Sequence, residues 1–184
     1  MLKNVKIQKG VMKRSLFKFL AVVFMSGGIP VISNAQVYVT AHVYAEIIEA
    51  LEAVETSQLN FGSFSPIADG GNLMITPEGT RSWMGLAVLS KGTHNAASFY
   101  VSGETNATFS ISLPAAPIVL TNTSNAKTMT VTDWVSSPPQ GLGVATLDEG
   151  SKTISVGATL IVGSIQDNPK GIYTGTYTIT FDYN

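Results

Sequence analysis

The side chains in this 184-residue chain with scope for chemistry are few. His42 and His94 are the only imidazoles. They sit in unlike settings, without a His-Glu-x-x-His or Cys-x-x-Cys spacing, so no zinc centre is expected. Three turns carry oxygens that suit calcium: Asp69 with Asn72, Asp148 with Glu149, and Asp167 with Asn168. None falls in an EF-hand register, and each reads as a solvated loop. Cysteine is absent, which removes thiol nucleophiles and thiolate ligands. A Gly-x-Ser-x-Gly elbow is missing, and Gly70-Gly71 lacks the Lys-Ser/Thr of a phosphate loop. The chain is therefore not expected to be an enzyme or to hold a cofactor or metal. Trp83 and Trp134 are candidates for stacking on a ligand such as a sugar ring, although Trp134 ends an alternating run where an aromatic usually packs inward. Asn106-Ala107-Thr108 and Asn122-Thr123-Ser124 match the N-glycosylation acceptor, which matters only in a host that glycosylates.

The N-terminus governs where any such chemistry would take place. Lys3, Lys6, Lys9, Lys13, Arg14 and Lys18 stand there without an acidic residue, ahead of an apolar stretch from Phe19 to Ile32. Ser33-Asn34-Ala35 follows, and this order predicts a cleavable secretion signal over residues 1–35, cut before Gln36. A membrane anchor would need about 20 continuous apolar residues. This run is shorter and is broken by Gly27-Gly28 and Pro30. The expected address is the periplasm, the outer surface or the medium, with the membrane involved only through export. Six of the 11 basic residues precede Gln36 and all 12 acidic ones follow it, leaving five against 12 and a formal charge of −7. Nucleic acid needs a basic footprint to neutralise phosphates, so it is excluded as a partner.

Residues 36–184 are the length of one domain, and their pattern is that of strands. From Gln36 the chain alternates strictly. Val37, Val39, Ala41, Val43 and Ala45 fall on one face, with Tyr38, Thr40, His42 and Tyr44 on the other, predicting a half-buried strand. The next segment is different. Ile47, Ile48, Leu51 and Val54 recur at helical spacing opposite Glu46, Glu49, Glu52 and Glu55, which by pattern alone predicts a short amphipathic helix. Short apolar or β-branched runs then follow at 72–76, 85–89, 97–102, 108–113, 118–121, 128–135, 152–162 and 173–183, divided by turn clusters such as Ala68-Asp69-Gly70-Gly71 and Asp167-Asn168-Pro169-Lys170-Gly171. Many short strands with regular punctuation indicate an all-β antiparallel sandwich. The last run places Tyr173, Gly175, Tyr177, Ile179, Phe181 and Tyr183 on one face and threonines with Asp182 on the other.

Several segments carry a resemblance across nearly all of residues 36–184. They are the Leu59-Asn60-Phe61-Gly62 corner, Ser98-Phe99-Tyr100-Val101-Ser102-Gly103, Met129-Thr130-Val131, Val156-Gly157-Ala158-Thr159-Leu160 and the closing Gly171-x-Tyr173-x-Gly175-x-Tyr177. Together they resemble a bacterial family of exported domains of unknown function, similar to spore coat U-type and fimbrial, pilin-like subunits. The resemblance implies an immunoglobulin-like β-sandwich. It also places a strand over residues 50–55, a reading preferred to the helix.

Subunits assembled by the chaperone–usher route carry a glycine 14 places from the C-terminus and a penultimate aromatic, here Gly171 and Tyr183. The resemblance thus marks Gly171, Tyr173, Tyr177, Ile179, Phe181 and Tyr183 as a chaperone or assembly strand. It implies like subunits, or a periplasmic chaperone and usher, as partners. Val37, Val39, Ala41, Val43 and Ala45 would form a strand donated to a neighbour, or else the domain's own first strand. The disulfide of many fimbrial subunits is absent. The expected function is that of a non-enzymatic surface or structural subunit, with an extracytoplasmic carbohydrate- or ligand-binding sandwich as the alternative.

Overall fold

The computed structural model describes residues 36–88 and 92–184, so the expected export signal over residues 1–35 lies outside the described residues. The chain divides into two units, Met1–Ala45 and Glu46–Asn184. Strands make up the second: β1 (Glu52–Ser57), β2 (Phe64–Pro66), β3 (Gly71–Ile75), β4 (Arg81–Met84), β5 (Leu86–Val88), β6 (Ala97–Ser102), β7 (Thr108–Ser112), β8 (Ile118–Asn122), β9 (Thr128–Ser137), β10 (Gly141–Thr146), β11 (Ser151–Val162), β12 (Tyr173–Thr174) and β13 (Thr180–Tyr183). No helix occurs among the described residues, and the fold is all-β and sandwich-like, as the turn-punctuated runs predict.

The main sheet runs β1-β6-β11-β9-β8-β12, with β3 on β11 and β4 on β3, while β10-β7-β13 form a second sheet and β2-β5 a small third. Its organising strand is β11. One edge pairs with β9 over Ser155–Ile161, and the other pairs first with β6 and then with β3. Being paired on both edges, β11 buries Ile154, Val156, Ala158, Leu160 and Val162. From the second sheet, Phe109 and Ile111 of β7 complete the core, and Phe181 of β13 packs between Phe109 and Phe99, with ring centroids 6.1 and 6.0 Å away. Such tilted and edge-on contacts are the geometry aromatic rings prefer.

Two expectations need correction, and one discarded alternative falls away. Residues 36–51 belong to no strand, and Val37, Val39 and Val43 are 85%, 84% and 100% exposed, so the half-buried strand predicted from Gln36 is not formed. Alternation sets the two faces of a strand, but the strand itself requires a neighbouring edge. The helical spacing over 46–55 also loses. Glu52–Glu55 pair with Phe99–Ser102 of β6, so a backbone ladder overrides helix propensity, and the strand of the resemblance is the one found. Finally, the run at 173–183 is not continuous: β12 joins the main sheet through β8, β13 joins the second sheet through β7, and residues 175–179 leave both ladders.

Candidate functional site

That break in the last strand opens the site. A groove of about 910 Å³ lies between the chain at 172–179 and the Leu59–Pro66 segment, with Phe99, Leu120, Val131, Trp134 and Leu160 on its floor. The floor is apolar because these side chains belong to the inner face of the main sheet, where the strand period places them.

The walls are held by polar pegs. Asn168 is buried, donates to the Thr128 carbonyl at 2.7 Å and accepts from the Gly163 amide, fixing the loop before β12. Tyr173 donates to the Pro169 carbonyl at 2.9 Å. Gly171 lies against Asn122, where a Cβ would fall 2.2 Å from Nδ2, so a larger residue would have to displace the Asn122 side chain. On the opposite wall Asn60 Oδ1 accepts from the Gly62 amide at 2.8 Å, and Asn60 and Asn95 exchange backbone bonds that turn the Leu59-Asn60-Phe61-Gly62 corner.

Inside the groove the Tyr177 ring covers Trp134, with centroids 4.6 Å apart and planes tilted by 35°. The Trp134 indole N–H and the Tyr177 hydroxyl are both buried without a hydrogen-bond partner among the described residues. Orphaned donors of this kind cost free energy and ask for an explanation. Burial first, and the Glu55 carboxylate second, push the Tyr177 hydroxyl up to about 12, so it stays protonated at any physiological pH.

The C-terminal strand is an edge in both sheets, β12 ending one order and β13 the other. Edges are normally blunted by lysine or proline. From Gly171 to Asn184 there is neither, and the single charge is Asp182. The side chains keep the expected alternation: Tyr173, Tyr177, Ile179, Phe181 and Tyr183 pack on the core, while Thr174, Thr176, Thr178 and Thr180 are exposed.

The remaining candidates are placed as follows. Trp134 is on the groove floor, whereas Trp83 is half-exposed on β4 and does not line the groove. Asp167 accepts from Ser164 Oγ at 2.7 Å, Asn168 is a buried peg, and Asp148 pairs with Lys152 at 2.6 Å, so these oxygens have structural work. No group of three or more metal-ligating side chains occurs among the described residues. Of the two glycosylation matches, Asn106 is exposed but Asn122 is 2% exposed and closed to modification. Sequence reasoning missed the Leu59–Pro66 wall, whose only signal was the Asn60-Phe61-Gly62 corner.

No curated protein and no solved structure matches the chain. A family model does match, over residues 51–183, beginning just after the exposed N-terminal stretch. The chain accordingly belongs to the family described as Domain of unknown function (DUF4402).

Proposed function

We propose that this protein is an exported, non-enzymatic structural subunit of pilin-like type, similar to fimbrial and spore coat U-type proteins, in which each copy donates the strand Val37–Ala45 to the groove of the next. One observation carries the reading: an exposed, alternating, uncharged segment and an unblunted strand edge beside a groove with an apolar floor occur in the same chain. Val37, Val39, Ala41, Val43 and Ala45 enter over Leu120, Val131 and Trp134, and the backbone of residues 175–179 supplies the ladder. Strand addition of this kind takes affinity from main-chain bonds and register from alternate side-chain pockets. Carbonyls of the incoming strand also offer acceptors to the Trp134 and Tyr177 donors. A repeated head-to-tail contact that does not close yields filaments. The test is to follow the size of the exported full chain by sedimentation as concentration rises, with and without an excess of a synthetic peptide of residues 36–50. Growth that the peptide caps supports the reading, and a protein that stays monomeric and ignores the peptide refutes it.

A second reading rests on the groove itself, whose volume and apolar floor suit a small ligand. As a carbohydrate- or ligand-binding module the protein would use Trp134 under Tyr177. A glycan array on which wild type and Trp134→Ala behave alike would dismiss it.

A further inference from the structure

The side chain of Tyr183 joins the two ends of the domain. Its hydroxyl accepts from the Glu104 amide at 2.7 Å and donates to the Glu49 carbonyl at 2.9 Å, while the Glu104 carboxylate accepts from the Glu49 amide at 3.1 Å. These three bonds grip both backbone polar groups of Glu49. Gly103 makes room for the ring, since a Cβ there would lie 2.1 Å from the hydroxyl oxygen. Tyr183 stands opposite Phe109 at the end of β13, and β1 begins at Glu52. The root of the N-terminal segment is thus held at one end of the C-terminal strand whose edge is open.

We infer that Tyr183 and Glu104 form a latch that fixes where the donor segment leaves the domain and directs it to a second copy of the chain. The inference rests on the strand-donation reading. From Glu49 back to Val37 an extended chain reaches about 40 Å, and the edge from Gly175 to Tyr183 is about 27 Å long. Length therefore does not prevent the segment from entering its own groove. Direction does matter. Anchored at the Tyr183 end, the segment can lie along its own edge only with Val37 towards Gly175, which makes it parallel to the C-terminal strand. A segment from a second copy has no such anchor and can pair antiparallel, the more stable ladder per residue. Tyr183 is a positioning residue in this scheme, and it is not part of the groove wall.

The experiment compares the exported full chain with Tyr183→Phe, which keeps the ring and removes the hydroxyl, and with Glu104→Ala and Glu104→Gln. Three quantities are read: amide exchange at Glu49 and Glu104, binding of the peptide of residues 36–50, and the rate of assembly. Tyr183→Phe is expected to speed exchange at both amides by about tenfold. Apparent peptide affinity should fall by about tenfold, because the released segment competes for the same groove. Assembly should slow by about tenfold as segments occupy their own grooves. Glu104→Ala should reproduce this, and Glu104→Gln, which retains an acceptor for the Glu49 amide, should restore assembly. If Tyr183→Phe loses its fold, Glu104→Ala gives the same readout with the tyrosine in place. Peptide binding with assembly unchanged in both Tyr183→Phe and Glu104→Ala overturns the latch alone. A wild type that does not bind the peptide overturns strand donation, and the latch with it.

Discussion

The two ends of residues 36–184 are written in the same code and have opposite fates. At one end, Val37, Val39, Ala41, Val43 and Ala45 alternate with polar or aromatic residues, and the segment stays exposed and enters no sheet. At the other, Tyr173, Tyr177, Ile179, Phe181 and Tyr183 alternate with threonines, pack on the core, and hold both sheets by short ladders. Alternation decides which side chains share a face. It does not decide which edge they meet. Each end holds what the other lacks: a strand without a sheet, and a sheet edge without a strand.

The contrast can be broken most severely through the core. Phe109→Ala should cost about 3–5 kcal/mol of domain stability, read in a denaturant melt, because Phe109 is fully buried and braces Phe181. A loss confined to assembly would show that the C-terminal strand does not depend on that packing. Next in size is Val39→Asp with Val43→Asp. Both sites are exposed, so the same melt should move by less than about 0.5 kcal/mol. Assembly should nonetheless fall at least about a hundredfold, since unpaired carboxylates would be buried over the groove's apolar floor. Normal assembly of this variant would remove the segment from the interface.

Tyr177→Phe sharpens the comparison at the groove. The folded protein holds the phenol neutral up to about 12, against about 10 in an unfolded chain. Its contribution is therefore complete below about pH 10 and is lost as pH rises towards 12. The variant should be more stable than wild type near neutrality, since it removes an unpartnered buried hydroxyl, and lose less stability between those limits. An identical alkaline limb in both proteins would mean that the hydroxyl titrates as if in water. Smallest is Lys152→Ala, which removes a surface pair with Asp148 and should shift the midpoint of thermal unfolding by no more than about 1 kcal/mol permits. A larger shift would make that hairpin part of the core.

Much of the fold was legible because most strands carry their own period. The runs at 97–102, 108–113, 128–135 and 152–162 correspond to β6, β7, β9 and β11. Others were not. The β4 sequence Arg-Ser-Trp-Met has no alternation, and Gly141–Thr146 is rich enough in glycine to read as loop, yet each becomes a strand because a neighbouring edge captures it. Over Glu46–Glu55 the helical spacing competed with the strand, and the ladder of Glu52–Glu55 with β6 decides between them. The site was half visible. The C-terminal run could be marked from sequence, but the groove joins residues near 60 to residues near 175, and no local pattern reports that Tyr177 covers Trp134 or that Tyr183 reaches Glu49.

The central claim concerns the backbone of residues 175–179, which leaves both ladders in the isolated chain. Amide exchange at these residues and at Val37–Ala45 should be measured in dilute and in assembled protein. Strand donation predicts fast exchange in both segments when dilute and joint protection of both on assembly, with one concentration dependence. Assembled protein in which either segment still exchanges at its dilute rate would contradict the account.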